Sequence, residues 1–149
     1  TRDGSDRDAR WNMMSASMQG AMAFQKGLGC VHSMSHALGG VDPRLPHGTL
    51  NAVLLPAVIA FNRDADTVQR DDKYTRLAHA MGLPGEDAIG PAIRDLNQRL
   101  GLPATLSQMG VTRDMLPRVV EGALADHSHR TNPRDASADD YARLLDQSM

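Results

Sequence analysis

The stretch Leu50-Asn51-Ala52-Val53-Leu54-Leu55-Pro56-Ala57-Val58-Ile59-Ala60-Phe61 decides the class of this chain. Leu50, Val53, Leu54, Ala57, Val58 and Phe61 recur at spacings of three and four, which lays one apolar stripe along a helix. Pro46 sits at a first-turn position and opens that helix. Pro56 falls inside the stripe, where it removes one backbone hydrogen bond or kinks the axis. Upstream, Trp11, Met14, Met18, Ala21 and Met22 repeat the same spacing and predict a second buried face. Their helix is expected to follow a cap among Asp3, Ser5 and Asp6 and to run to about Lys26, with Gly27 and Gly29 ending it. A short helix from Cys30 to about Leu38 is expected to close at Gly39-Gly40. Val41 to Leu45, with Asp42-Pro43, reads as a loop.

Downstream the pattern predicts amphipathic surface helices over Asp64–Met81 and Glu86–Leu100. Another follows over Asp114–Asp126, with Thr112 as its cap. The last, Ser137–Gln147, has Asp140 in capping-box position to Ser137. No fixed-period repeat or low-complexity segment interrupts them. The expected fold is all-α: one compact multi-helix domain over residues 1–149.

Composition agrees. Trp11, Phe24, Phe61, Tyr74 and Tyr141 are the only aromatics, while nine Met accompany many Ala and Leu. Helix formers dominate, and runs of strand-favouring residues are missing. The formal charge of -2 leaves no basic field for a nucleic-acid backbone or an anionic membrane. The strongly apolar run Ala52 to Phe61 falls far short of the roughly 20 residues that span a bilayer. The single cysteine, Cys30, excludes an internal disulfide and reads as a small buried core residue of a reducing compartment. No export signal is visible, so a cytoplasmic location is expected.

His32, His36 and His47 fall within sixteen positions. The first two are four apart and share a helix face; the third follows a bend that can return it toward them. An i, i+4 imidazole pair with a third His is a constellation that holds metals, and it also occurs as ordinary packing and capping. The two readings differ in geometry: metal binding brings the three rings together around one ion, whereas packing lets the rings diverge. A self-sufficient three-His hydrolase is disfavoured, because no general-base Glu accompanies the pair as in an HExxH helix.

From Gly27 to Gly40, Gly-Leu-Gly-Cys-Val-His-Ser-Met-Ser-His-Ala-Leu-Gly-Gly, the chain resembles the iron-containing (group III) alcohol dehydrogenases. In that family a GxxHxxxHxxG helix precedes a PHG turn and an apolar helix, as in Leu45-Pro46-His47-Gly48-Thr49-Leu50-Asn51-Ala52. The likeness continues through Leu55-Pro56-Ala57-Val58 and Phe61-Asn62 and returns at Asn132-Pro133-Arg134. It implies the C-terminal helical domain of the dehydroquinate synthase-like fold. It further implies that His32 and His47 ligate Fe(II), or Zn(II), and that His36 lies near substrate and nicotinamide as a proton relay or positioning group. The implied reaction is hydride transfer between a small alcohol and NAD or NADP, with the metal polarising the alcohol oxygen. Relatives are often dimers or larger, so homo-oligomerisation is possible.

The chain also departs from the full pattern. It has no GxGxxG and no GGGS-like phosphate loop, and the other two implied ligands, an Asp and a His, belong to sequence upstream. The expectation is therefore a helical part whose partner is the missing N-terminal half, with weak or no metal binding and no dehydrogenase activity on its own. The competing expectation is a non-catalytic all-α interaction module. Elsewhere, His79 is expected to be solvated and Asp71-Asp72-Lys73 to lie on a solvated face. His127 and His129 are assigned to an exposed loop, which the resemblance implies lies near the substrate cavity, and Asn132-Pro133-Arg134 to a turn.

Overall fold

The computed structural model describes residues 3–149. Eight α-helices follow one another, with short 3-10 turns and no strand among the described residues: α1 (Arg7–Ala23), α2 (Cys30–Val41), α3 (His47–Asn62), α4 (Asp66–Gln69), α5 (Lys73–Ala80), α6 (Ile89–Arg99), α7 (Leu116–Ala125) and α8 (Ala138–Gln147). The all-α expectation holds. No described helix is long and apolar enough to cross a membrane.

Helix α2 lies at the centre, against α3 on one side and α7 on the other, with α8 closing the layer. Cys30, Met34 and Leu38 of α2, Leu50, Leu54 and Val58 of α3, Val119 and Ala123 of α7, and Tyr141, Leu144 and Leu145 of α8 form one buried cluster. A smaller cluster gathers Val68, Tyr74, Ala78 and Ile89 where α4, α5 and α6 meet. The Tyr74 hydroxyl donates to the Ile59 carbonyl at 2.9 Å and ties this second cluster to α3.

Pro56 keeps its place inside α3, and the freed Ala52 carbonyl accepts a 2.8 Å hydrogen bond from the Asn97 side chain of α6. The helix defect is thus satisfied from a neighbour, as a buried carbonyl requires. The capping box on α8 is present, with the Ser137 side chain on the Asp140 N–H and the Asp140 side chain on the Ser137 N–H.

Three expectations are corrected. The Trp11–Met22 stripe is not core: no residue of α1 is buried, and Trp11, Met14, Met18 and Met22 are 60–72% exposed. Helix α1 forms behind its Asp6 cap, but among the described residues its apolar face stays exposed. Second, Gly39-Gly40 does not end α2, which continues through both to Val41 and stops at Asp42. Nothing crowds either glycine, so the helix loses propensity there but not continuity. Third, the single helix over Asp64–Met81 is broken into α4 and α5 by Asp72, whose backbone is left-handed with φ 47°.

The chain reverses through glycines that are also contact points. Gly27 and Gly29 have φ of 98° and 84°, and a Cβ on either would collide with the side chain of Thr131 or Asn132. That close approach lets Thr131 Oγ1 accept from the Leu28 N–H and Asn132 Oδ1 accept from the Cys30 N–H, each at 3.1 Å. Asn132 and Asn62 also exchange amide hydrogen bonds at 2.7 and 3.1 Å. The Asn132 side chain therefore joins the start of α2 to the end of α3. The Asn-Pro-Arg segment does more than turn the chain.

Candidate functional site

His32 and His36 stand one turn apart on α2 and share its face, as their spacing requires. The return of the chain is made by the Asp42–Arg44 turn. Asp42 Oδ1 accepts from the Arg44 N–H at 3.0 Å, and the Arg44 guanidinium holds the Asp42 carboxyl down at about 2. This turn delivers His47 as the first residue of α3, facing α2.

The three rings meet. Ring centroids lie 5.3 Å apart for His32 and His47, 5.7 Å for His32 and His36, and 5.2 Å for the stacked His36 and His47. No packed aliphatic layer intervenes. The Nε2 atoms of His32 and His47 both approach one atom, Nδ2 of Asn51, at 3.3 and 3.0 Å. An amide nitrogen carries two hydrogens and no lone pair, so each Nε2 serves as an acceptor there. Two imidazole lone pairs thus converge on a single electrophilic position. Asn51 Oδ1 is buried and without a partner.

Burial, with the neighbouring His47 and His36 rings, holds the His32 imidazole below its ordinary pKa and favours its neutral form. The Phe24 ring lies edge-on to His32 at 6.1 Å and is itself largely exposed. On the other side His36 Nδ1 lies 3.0 Å from Asp126 Oδ2. Burial alone would raise the Asp126 carboxyl; the Ser128 N–H at 2.8 Å and the His36 ring outweigh it, and the carboxyl falls below its usual value. A carboxylate on Nδ1 fixes the His36 ring and leaves its Nε2 to exchange a proton.

His127 is exposed, and its ring stacks on His36 at 6.0 Å, which brings it to the rim of this site. His129 instead contacts the Tyr141 hydroxyl at 3.0 Å, so the HxH pair is divided between two environments. His79 is exposed on α5, and Cys30 is fully buried. Among the described residues no group of three His, Cys, Asp or Glu side chains is arranged to hold a metal. His32 and His47 offer two donors, and His36 is engaged with Asp126. A cavity of about 930 Å³ between α3 and α6, lined by Val53, Pro56, Arg94 and Gln98 among others, contains none of the histidines.

Local sequence pattern does not by itself mark Asn51, Ser35 or Asp126 as partners of these rings. Asn51 had a usable signal, since it lies four residues after His47 and shares its helix face. Asp126 had none, being ninety positions from His36.

Residues 1–149 match the Fe-containing alcohol dehydrogenase family, C-terminal part. The chain is 66% identical to the 4-hydroxybutyrate dehydrogenase of Cupriavidus necator, over 100% of this chain and 40% of that protein. It is 35% identical to the 1,3-propanediol dehydrogenase of Klebsiella pneumoniae, over 98% of this chain and 39% of that one. In structure it superposes on a 1,3-propanediol oxidoreductase with a TM-score of 0.87 and 36% identity, covering 98% of this chain and 39% of the other. The chain therefore spans about two-fifths of the length of the curated relatives it matches.

Proposed function

The chain belongs to the Fe-containing alcohol dehydrogenase family, whose C-terminal part it matches throughout, and on that footing we propose that it is the helical, metal-binding part of an NAD(P)-dependent enzyme interconverting small alcohols and aldehydes or ketones. The observation that carries this reading is the convergence of His32 and His47 Nε2 on one point, with His36 stacked alongside. Two neutral imidazoles aimed at a shared position suit Fe(II) or Zn(II), and these two residues would hold the ion together with ligands from the upstream part. When bound, such an ion acts as a Lewis acid on the alcohol oxygen, and a nicotinamide accepts the hydride.

The chain's own residues would perform the remaining work. His36, its Nδ1–H donated to Asp126, presents Nε2 as the group that takes the alcohol proton in oxidation and returns it in reduction. The bare apolar face of α1 supports packing against the upstream part that the relatives possess. The 66% identical relative puts 4-hydroxybutyrate first among substrates to assay.

The deciding experiment is substitution in the full-length enzyme, with bound metal and turnover measured on the same preparations. His32→Ala and His47→Ala are expected to lose both together. His36→Ala is expected to keep the metal and to lower turnover about 10²–10⁴-fold, the usual contribution of a positioned acid–base group. Loss of metal in His36→Ala with retention in His32→Ala would reverse the roles. The 149-residue chain alone is expected to show no turnover, and a tight stoichiometric Fe(II) or Zn(II) complex of it would contradict the need for outside ligands.

A further inference from the structure

We propose that Ser35 is a positioning residue of this site, whose hydroxyl holds His47 with hydrogen on Nδ1 and so keeps its Nε2 lone pair directed at the point it shares with His32. The metal consequence rests on the reading above; the tautomer does not. Ser35 is buried on α2, between His32 and His36 in sequence and beneath the His47 ring. Its Oγ lies 3.2 Å from His47 Nδ1 and 3.2 Å from the His32 carbonyl. A hydroxyl has one hydrogen, and the carbonyl can only accept. With the hydroxyl hydrogen donated to the carbonyl, the Oγ lone pair faces Nδ1, and Nδ1 must supply the hydrogen.

The opposite side of the ring gives an independent indication. Asn51 Nδ2, 3.0 Å from His47 Nε2, donates both its hydrogens, one to each imidazole, and leaves one buried acceptor, Oδ1, unmatched. Reversing the amide and both tautomers would instead place two amide hydrogens in that buried pocket without acceptors. An unmatched N–H is the rarer and more costly defect, and here there would be two in place of one oxygen. Both ends of the His47 ring therefore select the Nδ1–H form. Outer partners of this kind fix ring orientation and tautomer for metal-ligating histidines, and losing one weakens the metal about 10–100-fold.

The test has two arms. In the metal-free 149-residue chain with ¹⁵N-labelled histidine, at a pH where the rings are neutral, His47 should show a protonated Nδ1 and an unprotonated Nε2. Ser35→Ala should move that signature toward Nε2–H, and Ser35→Thr, which retains the hydroxyl, should restore it. An Nε2–H signature in the wild-type chain, or no change on Ser35→Ala, overturns the proposal. In the full-length enzyme, Co(II) titration followed by its visible absorption should show about tenfold weaker binding for Ser35→Ala, with Ser35→Thr close to wild type. Equal Co(II) affinity in wild type and Ser35→Ala overturns the positioning role even with the tautomer as expected. Co(II) absorption unaffected by His47→Ala overturns the metal reading instead, and the tautomer result then stands alone as a structural fact.

Discussion

Helix α1 has seventeen residues and buries none, whereas α2, which starts after a short glycine-bounded turn, has twelve and buries six. Both present apolar side chains at helical spacing, and both have methionines on that face. The difference lies in what surrounds them. Helix α2 is enclosed by α3, α7 and α8, so Met34 and Leu38 lose all contact with water. Helix α1 reaches the body through the 3-10 turn that follows it, where Phe24 lies edge-on to His32, and its stripe faces solvent. Periodicity states that a face is suited to burial; it does not state which chain supplies the cover.

The contrast can be broken or sharpened by substitution. The largest effect is expected in the enclosed layer: Leu54→Ala should lower unfolding free energy by about 2–5 kcal/mol, measured by urea denaturation of the chain. Loss of less than about 1 kcal/mol would mean that α2 and α3 are not packed as described. Asn132→Ala comes next, at about 1–3 kcal/mol, because it orphans the Cys30 N–H and the Asn62 amide at once. Ser137→Ala should cost about 1 kcal/mol through the lost cap.

That cap also gives a pH test. The Ser137 hydroxyl and N–H, with Arg143 nearby, hold the Asp140 carboxyl down at about 2. A carboxyl lowered in the folded state stabilises it fully above the ordinary aspartate value of about 4 and ceases to do so as pH falls through about 2. Asp140→Asn should therefore flatten that acid limb of the stability curve. An unchanged limb would remove the capping box from the account.

The smallest effect is expected on the bare helix. Met18→Ala should change the stability of this chain by less than about 0.5 kcal/mol. In the full-length enzyme the same substitution should approach the cost of a core truncation, about 2 kcal/mol or more, if the upstream part covers α1. Equal small effects in both would leave the α1 face uncovered and withdraw that contact from the proposal.

Much of this was legible in the chain itself. Helix content, the defect at Pro56, the capping box at Ser137 and the burial of Cys30 all follow from local pattern, because a helix is made of contacts three and four residues apart. The pairing of His32 with His36 was legible for the same reason. The Gly39-Gly40 ending failed because glycine only weakens a helix, and packing of α2 on α3 and α7 outweighs about 1 kcal/mol per glycine. The break at Asp72 was hidden because a single left-handed aspartate leaves the surrounding amphipathic pattern intact.

The sequence by itself determined an all-α chain, its family likeness and the two helices on which the site histidines stand, since each depends on residues close together along the polymer. Only the tertiary structure decided that His47 Nε2 meets His32 Nε2 at the Asn51 amide, that Asp126 reaches His36 across ninety residues, and that α1 faces water. Those facts are set by how separate helices dock, and docking depends on the shape of the whole layer, which no local spacing encodes.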